Sequence, residues 1–356
     1  MMHNLLNFRR FVGVLALIVV LSTGAGVGIL AQGDFPVFIV DSSGEACQRP
    51  ELVAYPCFRS IPAALEQARN SAVILLYAGE QPYPGFSIRS GLRALLIQGQ
   101  IRRGETERPK ISGTISLEGE LQVILQDLIL QGDPAISIGG SGQGPIFTRL
   151  QNLQVESKGT GVKLGQAGLV EIIDSVLCGG SCTTVQPGAG SGCGIELALN
   201  GRGILNVQSK QGLASIWGFT DGICTKGAQQ GWVLSLVNTE IMFNAQHGLN
   251  IKGDPLKPEN VFIQIYNSKI RFNGQDGVRL ENFHGSIWNN QITFNGRHGI
   301  ALEGGEVDVS YNNPIAWNAD CGVLLLARVK VTGSGNKIFG NRRDLCGDFP
   351  PDFRQP

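Results

Sequence analysis

Between Val237 and Leu325 apolar and polar positions alternate over short runs that repeat. Asn238, Ile241, Phe243, Asn244, Gly248, Leu249 and Ile251 are followed, at the same spacing, by Asn267, Ile270, Phe272, Asn273, Gly277, Val278 and Leu280. A third copy reads Asn289, Ile292, Phe294, Asn295, Gly299, Ile300 and Leu302, and a fourth reads Asn312, Ile315, Trp317, Asn318, Gly322, Val323 and Leu325. The leading Asn returns after 29, 22 and 23 residues (267−238, 289−267, 312−289). No copy holds an amphipathic stretch of about 10 residues, so the unit is built of strands and bends. Self-similarity at this period predicts a solenoid of three short parallel strands per coil, with equivalent positions about 4.8 Å apart.

Stacking turns each recurring letter into a line in space. Ile241, Ile270, Ile292 and Ile315 are expected to form one internal column, and Phe243, Phe272, Phe294 and Trp317 another. The second Asn of each copy is expected to accept the left-handed backbone conformation and to bond to the Asn of the next coil. The repeat Gly suits positive φ or a close approach of backbones. Upstream the phase continues in weaker form, through Asp127 with Leu130, Asn152 with Val155 and Asp174 with Leu177. Downstream, Gly335 and Asn341 mark a last coil, and Pro350 and Pro351 mark the exit. Two excursions, Gly179 to Gly192 and Lys252 to Glu259, interrupt the period and are candidates for the walls of a groove.

These repeats resemble the right-handed parallel β-helix family, which includes pectate lyases, polygalacturonases, pectin methylesterases and alginate epimerases. The resemblance covers Asn238 to Leu325 best. It implies an all-β, single-stranded right-handed parallel β-helix of roughly ten coils, and it leaves activity open because many reactions share this scaffold. The expected organisation is a signal peptide or N-terminal membrane anchor over 1–33, a cap with a disulfide loop and short helix over 34–71, the β-helix over 72–348 and a tail over 349–356. In the cap, Pro36 to Val40 reads as an entry strand. Ser60 and Pro62 open a helix whose Ile61, Ala64, Leu65 and Ala68 follow helical spacing and would cover the open end of the stack. Ala72 to Tyr77 and Gly91 to Gly99 then begin the wall.

The first residues change the address. Arg9 and Arg10 precede an apolar run from Phe11 to Leu21, then small residues lead to Ala31 and Gly33, the physics of an export signal. The rival is an uncleaved anchor, since Phe11 to Ala31 is as long as a membrane-spanning helix of ~20 residues. Either places the protein outside the cytoplasm: secreted, periplasmic or on the cell surface, with the membrane touched only through an uncleaved N-terminal segment. Eight cysteines agree with an oxidising compartment. Cys47 with Cys57 and Cys321 with Cys346 are the expected pairs, while Cys178, Cys182, Cys193 and Cys224 stay unassigned. A metal reading of Cys178 and Cys182 lacks a neighbouring His, so no metal ligands are assigned, and no cofactor is implied. The high Gly count of 49 and the 16 % charged residues suit turn-rich β structure, and a formal net charge of zero excludes a nucleic-acid binder of the basic type.

Candidate chemistry collects in the position before the repeat Gly: Asp221, His247, Asp276, His298 and then Cys321. Two coils separate Asp221 from Asp276, about 9.6 Å at twice the strand spacing, near the upper end of the ~6.5–9.5 Å range of inverting glycoside hydrolysis. Arg271, Arg297 and Asp320 are candidates for gripping sugar carboxylates and hydroxyls. Tyr266, Trp288 and Tyr311 each precede an Asn of the leading column, should point outward, and would form a flat stacking platform for sugar rings. The competing reading of the Asp/His column is a solvated turn. Against the family's known sites, Gln246 and Arg297 replace the first Gly of a Gly-His-Gly, and no adjacent Asp pair, Asp-Pro-His-Asp or clustered calcium-binding Asp set occurs. The expected partner is therefore a polysaccharide or cell-envelope glycan. It would be met by a binder or by a carbohydrate-active lyase or hydrolase, or else the chain is a non-catalytic structural or adhesive module.

Overall fold

Apolar residues at alternate positions of every short strand drive the coil, because only stacking hides them from water on all sides. A computed structural model describes residues 35–88, 92–101, 107–139, 145–212, 214–227 and 231–354. The expected signal or anchor segment, and Gly91 at the start of the second wall strand, lie outside the described residues. From Val37 onward the chain is one contiguous unit. Each regular coil carries three strands, which define three faces. The first is represented by Leu249–Lys252, the second by Val261–Tyr266 and the third by Thr239–Met242. The third face is an 11-stranded parallel sheet, one strand per coil, while the first two merge into a 20-stranded sheet through continuous strands such as Val278–Trp288.

The isoleucine column is present and longer than its four repeats. Parallel registers carry it from Tyr83 through Ile111, Leu130, Val155, Leu177, Ile216, Ile241, Ile270, Ile292 and Ile315 to Ile338. All but the last are buried. At the entry, Val37–Val40 pairs with Ser71–Tyr77 in parallel. Helix α1, Ile61–Gln67, is capped by the Ser60 hydroxyl accepting from the Ala63 N–H, and it buries Ile61 and Ala64 against the first coils. The tail is more than an exit: a short turn at Pro351–Arg354 buries Phe353 in the core and packs it on Phe349 at 4.8 Å. All eight cysteines are paired, as Cys47–Cys57, Cys178–Cys182, Cys193–Cys224 and Cys321–Cys346.

The aromatic column is inverted relative to expectation. Phe243, Phe272, Phe294 and Trp317 lie outside the stack, with Phe272, Phe294 and Trp317 40 %, 46 % and 48 % exposed. Strand alternation from a buried Ile would put the residue two positions on inside. Here that residue takes φ of 54° to 57°, which breaks the alternation and throws its ring outward. The left-handed conformation thus belongs to the aromatic, and the Asn after it, in ordinary backbone, turns in. Such a conformation costs about 1–2 kcal/mol in an L-residue, and ring stacking at 5.0–5.3 Å returns about 0.5–1.5 kcal/mol per pair. In the flanking coils the same position is Gly218 (φ 79°) and Gly340 (φ 70°).

Two further details of register depart from the sequence pattern. In the fourth copy the leading Asn312 aligns with Asn290, whose N–H it accepts, so Tyr311 with φ 54° takes the place of Asn289. One extra residue at Asn313–Pro314 restores the phase before Ile315 pairs with Ile292. The two excursions do not share a groove. The loop 180–192 leaves between the third and first faces and leans on Phe243, whose carbonyl accepts the Gly188 N–H, whereas 253–260 leaves between the first and second. Insertions at different corners of a coil cannot wall one cleft.

The repeat glycines answer to space alone. A Cβ on Gly299 would lie 2.6 Å from the Gly322 carbonyl oxygen, 2.8 Å from the Asn318 amide and 2.9 Å from Ile315. Neither the backbone nor the amide can yield, so Gly299→Ala is expected to lower stability by about 2–3 kcal/mol. Thermal unfolding followed by circular dichroism would read this as a depressed midpoint.

Candidate functional site

On the second face, inward residues such as Val261, Ile263 and Ile265 force their neighbours outward, and the registers line these up into three rows. One row is Val237, Tyr266, Trp288 and Ser310. The middle row is polar: Ser235, Gln264, Ser286, Asp308 and Thr332. The third is Val233, Phe262, His284, Glu306 and Lys330. Ser235, Val237, Gln264, Tyr266, Ser286, Trp288 and Asp308 line a cleft of about 440 Å³. Tyr266 and Trp288 stack at 5.0 Å and 21°, while Tyr311, displaced by the register change, meets Trp288 edge-on at 5.8 Å and 86°. The expected flat platform is therefore a rail of upright rings. Asp308 accepts a hydrogen bond from the Ser310 hydroxyl at 2.9 Å and presents a carboxylate in this cleft. The polar row had no letter in the repeat to announce it; its only signal was period-two alternation within the second-face strands.

The Asp/His column forms, but as part of the wall. Asp221, His247, Asp276 and His298 are 7 %, 5 %, 0 % and 3 % exposed. Each side chain accepts the backbone N–H of the column residue one coil on. Asp221 Oδ1 takes the His247 N–H at 2.9 Å, His247 Nδ1 the Asp276 N–H at 3.3 Å, Asp276 Oδ1 the His298 N–H at 3.2 Å, and His298 Nδ1 the Cys321 N–H at 3.2 Å. The amides of His247, Asp276 and His298 precede their strands and that of Cys321 opens one, so a side-chain acceptor spares a donor at the strand entry. The arrangement departs from the solvated-turn reading and closes the column to a polymer. Both imidazoles accept at Nδ1 and so carry their proton on Nε2. Burial, partly opposed by the Asp276 carboxylate, holds both histidines below their ordinary pKa. Asp276 Oδ2 and His298 Nε2 are buried without a hydrogen-bond partner.

Arg271, Arg297 and Asp320 sit at the opposite corner from the cleft, between the third and first faces. Arg271 pairs with Glu240 and lies 5.6 Å over the Phe272 ring. Asp320 binds Arg343 at 2.9 Å, and that hydrogen bond holds its carboxyl below the usual range. Arg297 is exposed. The candidate ligand residues thus fall into two separate sets. Among the described residues, two groups bring metal-ligating residue types together, Cys193 with Asp221 and Cys224, and His298 with Asp320 and Cys321. Every cysteine in them is disulfide-bonded, so no thiolate remains and each set falls short of a coordination shell.

The model of the right handed beta helix region matches residues 256–347. The chain folds as a right-handed parallel β-helix. Two solved β-helices are similar to it. The A-module of the mannuronan C-5 epimerase AlgE6 of Azotobacter vinelandii is 16 % identical, with 82 % of this chain and 91 % of that one covered and a TM-score of 0.47. The periplasmic alginate epimerase AlgG is 13 % identical, with 88 % of this chain and 81 % of that one covered and a TM-score of 0.49. At such identities the likeness concerns the fold alone. No curated protein matches the chain.

Proposed function

We propose that this β-helix is an exported protein that binds polysaccharide in the cleft of its second face, without chemistry from the buried Asp/His column. The observation that carries the reading is the pairing, in one cleft, of the exposed Tyr266–Trp288 rail with a polar row of Ser235, Gln264, Ser286 and Asp308. Sugars present apolar C–H surfaces and hydroxyls side by side, and the cleft offers dispersion contact next to donors and acceptors. Export is supported by the Arg-then-apolar N-terminal sequence and by the complete pairing of eight cysteines.

Affinity electrophoresis against a panel of neutral and acidic polysaccharides tests the proposal. Retardation by at least one polymer is expected, with a loss of about tenfold in affinity for Trp288→Ala, a truncation worth about 1.4 kcal/mol, and an unchanged circular dichroism spectrum. Failure of the whole panel to retard the intact protein would leave the second reading, a stiff structural module. That reading is favoured by the commitment of the Asp/His column to backbone amides. Asp276→Asn should leave any reducing-end release unchanged.

A further inference from the structure

The first and second faces meet at a corner whose outer surface is apolar. Along the second face, the row nearest this corner is Ile204, Val233 and Phe262 on three consecutive coils, 37–42 % exposed. On the next coils the same row becomes His284, Glu306 and Lys330, so the position itself tolerates charge. Leu199 and Leu256 stand beside the row, 61 % and 86 % exposed. Cross-strand pairing accounts for apolar side chains within the row. It does not account for the two leucines: Leu199 lies in the bend of Cys193–Gln208 between its two paired stretches, and Leu256 lies on the 253–260 excursion. Bare apolar side chains gathered on one edge mark a contact surface.

Charge and area name the occupant. Arg202 precedes Ile204 by two residues, and Glu259 precedes Phe262 by three. The two lie on the same corner two coils apart, about 9.6 Å at twice the strand spacing. Both are exposed, and among the described residues neither forms a salt bridge, whereas Lys226 on the coil between is bridged to Glu196. A two-fold axis through the coil of Val233, perpendicular to the solenoid, exchanges the coil of Ile204 with that of Phe262. It sets Val233 on Val233 and Ile204 on Phe262, brings Leu199 beside Leu256, and turns Arg202 toward Glu259 of the other copy. Apolar groups alike at both ends, with opposite charges beside them, make the surface complementary to itself. The five apolar side chains expose about 400 Å², at the lower end of the 150–250 Å² that a large side chain buries. At the ~65 % apolar share of a homodimer contact, this corresponds to about 600 Å² per partner, inside the roughly 600–1,000 Å² of a standard interface. An anionic lipid surface would call for surplus cations, and here Arg202 and Glu259 cancel.

We infer that two copies of the chain associate through this corner as an isologous, antiparallel dimer, with Arg202 of each copy facing Glu259 of the other. The contact uses no residue that lines the second-face cleft, so it stands apart from the polysaccharide reading.

Sedimentation equilibrium of the intact protein is expected to give twice the chain mass. Val233→Asp places two carboxylates face to face at the axis and is expected to raise the dissociation constant at least tenfold, with an unchanged thermal midpoint by circular dichroism. Arg202→Glu and Glu259→Arg each put like charges at both polar contacts, and each is expected to weaken association at least tenfold. Mixed in equal amounts, these two variants regain both opposite-charge contacts in a heterodimer and should associate as tightly as the unsubstituted chain. A defect of folding in either variant could not be mended by mixing. A monomer at every concentration, a dimer indifferent to Val233→Asp, or a mixture of the two charge variants that stays monomeric would each overturn the dimer. So would flotation with phosphatidylglycerol vesicles that Leu256→Asp abolishes while the mass in solution stays that of one chain.

Discussion

Asn295→Ala is expected to lower the unfolding free energy of the stack by about 3–4 kcal/mol, more than most single replacements achieve. Asn295 is buried at a corner of the coil. Its carbonyl oxygen accepts the Asn273 backbone N–H at 3.2 Å and the Asn273 amide at 3.0 Å. Its own amide donates to the Ile270 carbonyl at 3.3 Å and to Asn318 at 2.9 Å. Alanine removes all four at once and leaves the Asn273 N–H without an acceptor where water cannot follow. One orphaned buried donor costs about 1–3 kcal/mol and each lost neutral bond about 0.5–1.5 kcal/mol. The comparison is Asn289→Gly in the outer ladder. Its amide reaches Asn267 at a long 3.4 Å in solvent and its φ of 57° suits glycine, so the change should cost well under 1 kcal/mol. Urea unfolding of both variants reads the contrast. Equal losses would mean that the inner ladder does not tie the coils together.

The letters that face inward were the legible ones. Ile241 and its equivalents share one environment on every coil, so the same side chain recurs and the column can be read directly from spacing. The Asn ladder was legible for the same reason, although its backbone conformation was not: periodicity says that Phe294 and Asn295 recur, and only geometry says which of the two takes positive φ. That single torsion decides whether four rings are core or surface. The Asp/His column was placed correctly in line, yet its burial depends on the unpaired amides of the neighbouring coil, a three-dimensional fact without a sequence signature. The cleft lay hidden because its residues, Ser235, Gln264, Ser286 and Asp308, share a direction and no common letter. Surface rows diverge where only solvent or a ligand constrains them.

Acidification between pH 6.5 and 5 is expected to destabilise the protein through His247 and His298. Burial depresses both pKa values, so the unfolded chain takes up protons near the ordinary 6.5 while the folded chain does not. Their contribution is therefore complete above pH 6.5 and declines as the pH falls toward the folded values, with a slope of up to about 1.4 kcal/mol per pH unit for each histidine. At Glu156 and Asp174 burial pushes the carboxyl up, but several hydrogen bonds together outweigh it and hold it low, so they contribute stability that is lost only below their ordinary values of 4.5 and 3.8, outside this window. Protonation would set two donors face to face, because Nδ1 of each ring already accepts a backbone N–H; the carboxylates of Asp276, 3.4 Å from His247 Nδ1, and Asp320, 3.9 Å from His298 Nδ1, offset burial only in part. His298→Asn supplies a carbonyl oxygen for the Cys321 N–H, as Asp276 does for His298, and removes the titration. Urea midpoints measured at half-unit intervals should show the slope of the acid limb halved in this variant. A flat profile from pH 7 to 5 in the unsubstituted protein would show that the imidazoles are not held neutral by the wall, and the ladder geometry would have to be redrawn.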